Sequence, residues 1–296
     1  MEPCPHTRLM NYFIGMCKNH KEWITILSDL GYQVELVEQR VRTATDKISH
    51  PDVVARSNNL AHFLVCDCKG GITIEEDQIN RYSTLTPQSF VNFTDPFQRE
   101  FTLDVCITDI EENHFFIAPQ AKGFPILTFG KNNLFKTGSF KQKDLELAFK
   151  DPKNIEGLSP PLSYYPFSIE DTNAYIAPYV IRGLVVIATK NAKGGASFAD
   201  ENVITQDEII AQVFNSVYEA LSTSIRRQLK DKIRMVLSWV LKDARMRETL
   251  ELIEHPESVK VSRQLDKLCK ASKEFIADLE AKKILDDFLD YSSFAK

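Results

Sequence analysis

The sequence contains no C-x-x-C pair. It has no apolar run approaching the roughly eighteen residues of a membrane-spanning helix. It also lacks the Gly-Lys-Ser/Thr that closes a nucleotide-binding P-loop, because the glycine pair in Asn191-Ala-Lys-Gly-Gly195 follows its lysine. Each absence removes a class of protein. The six cysteines, Cys4, Cys17, Cys66, Cys68, Cys106 and Cys269, are scattered. Cys4-Pro-His6 has metal-binding residue types, but no second half of a zinc site follows nearby. Cys66 and Cys68 are two apart on one strand, a poor geometry for a disulfide, which leaves them as small core residues. There is no internal repeat and no low-complexity stretch. Met1–Lys18 is broken by His6, Arg8 and Asn11 and makes a poor signal peptide, so the expected compartment is the cytoplasm, with no membrane partner.

An excess of positive charge is missing too. The chain has 36 Lys and Arg against 41 Asp and Glu, a formal net charge of −5. Proteins that hold nucleic acid usually carry a basic face, so the distribution matters more than the sum. Residues 1–130 carry 11 basic against 17 acidic side chains, whereas Arg226–Arg247 carries 8 against 2. The remaining composition, 43% hydrophobic and 26% charged over 296 residues, is that of a globular protein with room for one large domain or two ordinary ones.

What is present is concentrated between His50 and Tyr82. His62–Lys69 reads as a buried strand ending in Asp67-Cys68-Lys69. Side chains alternate along a strand, so Asp67 and Lys69 share one face while Leu64, Cys66 and Cys68 take the other. A carboxylate at the end of an apolar strand is costly unless it is paired. Asp52 opens a second short strand, Asp52–Ala55, and brings another carboxylate within reach. Two carboxylates and a backbone carbonyl are hard oxygen ligands of the kind Mg²⁺ takes alongside water and phosphate oxygens. Such an ion polarises a phosphoryl group and acidifies a bound water. A neighbouring lysine orients that water or offsets charge on phosphorus. The bland alternative is an ordinary Asp67–Lys69 ion pair at a strand end, with Asp52 capping a turn.

Pro51-Asp52, fourteen intervening residues and Asp67-x-Lys69 resemble the PD-(D/E)xK nuclease signature. Gln78-Ile-Asn-Arg-Tyr82, just downstream, resembles the Q-x-x-x-Y element of its RecB-like branch. Its Gln and Tyr are four apart and project together from a helix. Upstream, Glu22–Val34 is similar to the opening helix and first strand of archaeal junction resolvases. The likeness covers roughly residues 15–130. It implies an α/β core, a central mixed sheet flanked by helices, and Mg²⁺- or Mn²⁺-dependent hydrolysis of phosphodiesters in DNA. It assigns metal binding to Asp52, Asp67 and the Cys68 carbonyl, positioning of water to Lys69, and support to Gln78 and Tyr82. It also asks for an acid or histidine on the first helix, for which His20 and Glu22 are the candidates. By analogy the family further implies a setting in prokaryotic antiviral defence or mobile elements, with an ATPase or helicase subunit as partner. An endonuclease that cuts both strands would use a homo-oligomer.

Helical spacing is expected over Lys21–Leu30, with Gly31 as its stop, followed by a strand at Tyr32–Val37. Glu38–Ser49 reads as a hairpin or loop, in which Arg40 and Arg42 are candidates for phosphate contact. A helix carries Gln78 and Tyr82, with Asp77 and Arg81 as a surface pair. Strands are expected at Phe101–Ile110, His114–Ala118 and Pro125–Phe129, and a short helix at Asp144–Phe149. Asp104 and Asp109 read as structural. Asp151–Tyr165, with Pro152, Pro160 and Pro161, is the best boundary. Tyr164, Tyr165, Phe167, Tyr175 and Tyr179 suit packing more than base stacking. Tyr179–Thr189 reads as an apolar strand. Thr205-Gln-Asp-Glu208 has the spacing of a capping box. Beyond it come helices running past His255-Pro256 to about Asp287, one of which carries Arg226, Lys230 and Arg234 as a stripe for a phosphate backbone or simply a solvated face.

These expectations amount to a nuclease-like domain over 1–135, a connecting region with one apolar strand over 136–200, and a helical domain over 201–296. The rival reading is a catalytically silent nucleic-acid-binding or assembly subunit that keeps the fold.

Overall fold

The computed structural model describes residues 2–93, 100–158, 163–193, 202–253, 257–261 and 264–293. Pro160, Pro161, Gly194, Gly195, His255 and Pro256, on which some expectations fell, lie outside them, as do the side chains of Ile284, Leu285 and Phe288. No helix among the described residues is long and apolar enough to cross a membrane. The chain forms two compact units, one of Cys4–Tyr165 with Ser216–Ile225, the other mainly Pro166–Asn215 and Arg226 onward.

The first unit is α/β. Its elements run α1 (Pro5–Met16), α2 (Ile26–Asp29), β1 (Tyr32–Val37), β2 (Val41–Arg42), β3 (Ile48–Ser49), β4 (Val53–Ser57), β5 (His62–Cys68) and α3 (Glu76–Tyr82). They continue with β6 (Thr102–Ile110), α4 (Glu111–Ile117), β7 (Ile126–Phe129), β8 (Asn133–Thr137), α5 (Lys143–Ala148) and β9 (Lys153–Asn154). Seven strands make one mixed sheet in the order β1-β4-β5-β6-β7-β8-β9, and β2 and β3 form a separate hairpin. The middle pairs, β5/β6 and β6/β7, are parallel, and the outer pairs are antiparallel. Parallel neighbours need crossovers, which α3 and α4 provide. The sheet extends past residue 135 to take in β9.

Every residue of β5 is buried, which explains its unbroken apolar character. Phe63 and Val65 join Val105, Tyr82 and Phe90 in one core cluster. Ile107 joins Ile79, Ile117 and Ile126 in another. These residues put α3 and α4 on one face, while α1 packs on β5 and β6.

Three local expectations are corrected. Over Lys21–Leu30 only Ile26–Asp29 is helical, because Trp23 is buried instead and its indole donates to the Tyr12 carbonyl at 3.0 Å. His114–Ala118 lies in helix α4 and not in a strand. Glu111 and Glu112 suit a helical first turn, and five apolar-rich residues do not distinguish the two periods. Tyr179–Thr189 belongs to a 21-residue helix, α6 (Asn173–Lys193). Its buried Ile176, Val180, Ile181, Leu184 and Ala188 recur every three or four residues, and the β-branched side chains disguised that period.

The second unit adds to α6 the elements β10 (Asn202–Thr205), α7 (Gln206–Val213), the Arg226–Val240 part of α8 (Thr223–Val240), α9 (Ala244–Arg247), β11 (Leu250–Ile253), β12 (Ser258–Val261) and α10 (Leu265–Ser293). The Thr205–Glu208 capping box is formed on both sides. The unit is not all-helical as expected, because it contains an antiparallel sheet ordered β10-β12-β11. Phe167 packs edge-on to Phe214 and against Tyr179, and Tyr175 packs on Tyr179, so these aromatic side chains serve packing.

Asp104 on β6 is one structural anchor of the sheet. It is buried, 3.4 Å from His62 Nε2, and accepts from the backbone N–H of Lys141 and Gln142. With the ring proton on Nε2, the Tyr32 hydroxyl donates to His62 Nδ1 at 2.7 Å. Burial acts to raise the Asp104 carboxyl, but His62 and the two N–H groups outweigh it and hold it below the usual carboxylate range. Its contribution to stability is therefore present above the unfolded-state value of about 4 and is lost as pH falls below that value. Asp104→Asn should destabilise the protein by about 1.5–3 kcal/mol near neutrality, the worth of hydrogen bonds to a charged group. In chemical denaturation its deficit against wild type should shrink progressively as pH falls below about 4.

Candidate active site

The antiparallel pairing of β4 with β5 sets the start of one strand beside the end of the other. Val53 lies opposite Cys66, so Asp52, just before β4, meets Asp67 and Cys68 at the end of β5. Asp52 Oδ2 accepts from the Cys68 N–H at 2.6 Å, and its own N–H donates to the Cys66 carbonyl.

Asp67 is 1% exposed. Three side chains hold it. Lys69, on the same strand face, places Nζ 2.8 Å from Asp67 Oδ2. Gln78 Nε2 donates to Asp67 Oδ1 at 3.0 Å, while its Oε1 accepts from Lys69 Nζ at 2.6 Å. The Tyr82 hydroxyl lies 2.9 Å from Asp67 Oδ1 and 3.0 Å from the His50 carbonyl, and it accepts from Gln78 Nε2 at 3.1 Å. The helical i, i+4 spacing brings Gln78 and Tyr82 to one carboxylate. Burial raises the Asp67 carboxyl and the nearby Asp52 charge raises it further, while Lys69 and Tyr82 pull it down; the net is a rise to about 6. Asp67 Oδ2 is buried and accepts no well-aligned hydrogen bond.

His6, in the first turn of α1, has Nε2 3.5 Å from Asp52 Oδ1. Burial opposes its charge, but Asp52 wins and its pKa is raised well above the ordinary value. The same pair lowers Asp52, against the upward push of burial. Gly70 makes this approach feasible. A Cβ there would lie 2.6 Å from the His6 backbone nitrogen. Glu38 follows β1 in a left-handed conformation (φ 49°), donates its N–H to the Asp52 carbonyl at 2.7 Å and accepts from the Tyr165 hydroxyl at 2.6 Å. Asn11 clamps both backbone polar groups of Tyr165.

The structure therefore brings together Asp52, Asp67, Cys68, Lys69, Gln78 and Tyr82. It does not bring His20 and Glu22 to them. Both lie in the α1–α2 connection, where His20 Nδ1 accepts from the Glu22 N–H and the His20 ring meets Tyr164. The histidine on the first helix is His6. Its signal was Pro5, a residue favoured at a helix start, read only as part of a zinc half-site. Glu38 carried no sequence signal, and Tyr165 was marked only as part of an aromatic cluster. Arg226, Lys230 and Arg234 lie in the second unit. Lys230 is bound to Asp207 at 2.6 Å, and Arg234 lies 3.7 Å from Glu257. Arg81 has no ion-pair partner among the described residues, so the expected pair with Asp77 does not form. With Arg40 it adds to the effect of burial in lowering the His50 pKa, which sets both guanidinium groups near the residue preceding Pro51-Asp52.

The carboxylates of Asp52 and Asp67 are the side-chain oxygens in this network that could hold a cation. Among the described residues no three His, Cys, Asp or Glu side chains form a metal cage. Burial pushes the Cys66 and Cys68 thiols up, so they stay protonated, and all six cysteines are free. Carboxylate oxygens are ligands of the kind Mg²⁺ takes alongside water, and in this structure Asp67 Oδ2 faces the Lys69 ammonium.

The family described as the MJECL32 domain matches residues 5–165, more than half of the chain and nearly the whole of the first unit's main segment. The chain belongs to that family. No curated protein and no solved structure matches it.

Two substitutions should move the Asp67 titration in opposite directions in metal-free protein. Tyr82→Phe removes a hydrogen bond to the carboxylate and should raise the midpoint. Asp52→Asn removes a neighbouring charge and should lower it. Carboxyl ¹³C NMR reads both. Gly70→Ala should cost about 1–3 kcal/mol in thermal unfolding, the usual range for forced overpacking.

Proposed function

We propose that the first unit is a PD-(D/E)xK-type nuclease core that hydrolyses phosphodiester bonds in DNA with Mg²⁺ or Mn²⁺. The observation that carries the reading is the convergence on Asp67 of Lys69, Gln78 and Tyr82, with the Asp52 carboxylate beside it. An isolated ion pair needs only Lys69. The extra partners and the second carboxylate suit a site that must hold charge. Asp52 and Asp67 would hold the metal with the Cys68 carbonyl, and His6 neighbours Asp52 as a positive charge. The bound ion supplies Lewis acidity toward a phosphoryl oxygen and a more acidic water.

The protein's own groups do the rest. Lys69, 15% exposed, reaches solvent, and its ammonium orients the attacking water and offsets charge on the phosphorus. Gln78 fixes that ammonium and Asp67 relative to each other. Tyr82 ties Asp67 to the His50 carbonyl and so to the chain leading into Asp52. Arg40 and Arg81, whose charges act on His50, would contact substrate phosphates. The second unit would contact DNA or a partner subunit, such as an ATPase or helicase. Its Arg226–Arg234 stripe supports this less than spacing suggests, since Lys230 and Arg234 already face acids. The saturated Lys69–Gln78–Asp67 network also favours a second reading, a silent nucleic-acid-binding subunit that keeps the fold.

Purified protein should nick or cut plasmid DNA, linear duplex or single strands with Mg²⁺ or Mn²⁺ and not with EDTA. Lys69→Ala should lose at least about a hundredfold in rate, the typical contribution of a positioned acid–base group. Calorimetry with Mn²⁺ should show binding to wild type and none to Asp67→Ala. DNA binding without cutting, unchanged by Lys69→Ala, would move the assignment to the silent subunit.

A further inference from the structure

The sheet has an open edge in its middle. Strand β7 first pairs at Ile126, opposite Ile107. The chain before it turns away through Lys122 and Gly123, both left-handed (φ 47° and 89°). Along Leu103–Val105, β6 therefore has β5 on one side and, among the described residues, no strand on the other. In a parallel sheet the backbone groups of successive residues point to opposite neighbours. Thr102 N–H donates to the Ala61 carbonyl and the Thr108 carbonyl accepts from Lys69, so the even positions serve the β5 side. Ile107 N–H donates to the Pro125 carbonyl, so the odd positions serve the other. The N–H and C=O groups of Leu103 and Val105 thus face the gap. Backbone groups left this way at a sheet edge seek a partner.

The gap is a cavity of about 410 Å³, within the range of small-molecule sites. Ile79, Leu85, Val105 and Phe124 line it together with polar groups that include Asn80, Ser83, the Asp104 carboxylate, Lys122 and Lys141. Lys141 has no ion-pair partner among the described residues, and Lys122 meets only the exposed Glu76. Gly138 forms part of the wall's support, since a Cβ there would come within 3.1 Å of Pro125 Cα. Three chemistries therefore converge: paired donors and acceptors on a strand edge, apolar side chains with an aromatic ring, and two lysines, the Asp104 carboxylate being already met by His62 and by the Lys141 and Gln142 N–H groups. A purely apolar ligand would leave the edge unmet. A bare anion would use neither the apolar side chains nor the edge.

We propose that this cavity binds a nucleotide-sized ligand, its heterocycle hydrogen-bonded to the Leu103–Val105 edge beside Phe124 and its phosphate at Lys122 and Lys141. The assignment does not depend on the nuclease reading. Its consequence for the neighbouring site is direct. Tyr82 lines the cavity while its hydroxyl holds Asp67, so an occupant touches the residue that positions the carboxylate. The ligand would act as an effector through this contact with Tyr82.

Calorimetry on the full chain with AMP, UMP, adenosine and inorganic phosphate tests it. The expected result is saturable binding of at least one nucleotide, with adenosine and phosphate each weaker by about tenfold or more. The double variant Lys122→Ala/Lys141→Ala should weaken nucleotide binding by a similar factor. Ser83→Trp, which fills the cavity from the exposed residue that caps the end of α3, should abolish it; circular dichroism checks that both variants fold. No nucleotide binding up to millimolar concentration would overturn the proposal. So would adenosine binding as well as AMP, or nucleotide binding untouched by either variant.

Discussion

A carboxylate sits at the end of a strand from which water is excluded. Moving a charge such as Asp67 out of water costs several kcal/mol unless neighbours replace its hydration. The sheet topology supplies those neighbours. The crossover from β5 to the parallel strand β6 lays α3 across the same face as Asp67, so Gln78 and Tyr82 arrive there as a pair. Lys69 arrives by strand alternation alone. The His50 carbonyl and Asp52 arrive because β4 runs antiparallel and begins where β5 ends. One buried charge thus binds the sheet, a helix and the β3–β4 connection together.

That position is also where the pairing changes from antiparallel to parallel. There two carboxylates lie side by side with a raised and a lowered affinity for protons, an arrangement that suits charge-handling chemistry. Nearer the start of β6, the late start of β7 leaves the strand edge uncovered. Tyr82 is shared by both, its ring on the cavity and its hydroxyl on Asp67.

Legibility in the sequence followed interaction range. Strand β5, strand β6 and helix α3 are short and bounded by clear signals: the apolar run His62–Cys68, the Gly70-Gly71 break and the acids Glu75–Asp77. Helix α4 and helix α6 were misread because His114–Ala118 is too short to show a period and Tyr179–Thr189 is rich in β-branched residues. The expected helix around Trp23 was shortened by one long-range bond from its indole to the Tyr12 carbonyl. The small sheet of the second unit was missed because its strands have only four residues each.

The sequence by itself determined the grouping of Asp67 and Lys69, because a two-residue spacing on a strand leaves one geometry. It also determined the pairing of Gln78 with Tyr82, because a four-residue spacing on a helix does the same. Tertiary structure alone decided that His6, and neither His20 nor Glu22, stands beside Asp52. It likewise decided that Glu38 and Tyr165 meet 127 residues apart, and that the first half of β6 lacks a neighbour. The physical reason is common to all three. Each depends on where one element stops relative to another, and strand ends and helix starts are set by packing, by close approaches such as Gly70 against His6, and by backbone hydrogen bonds between distant segments. Local periodicity carries no record of these.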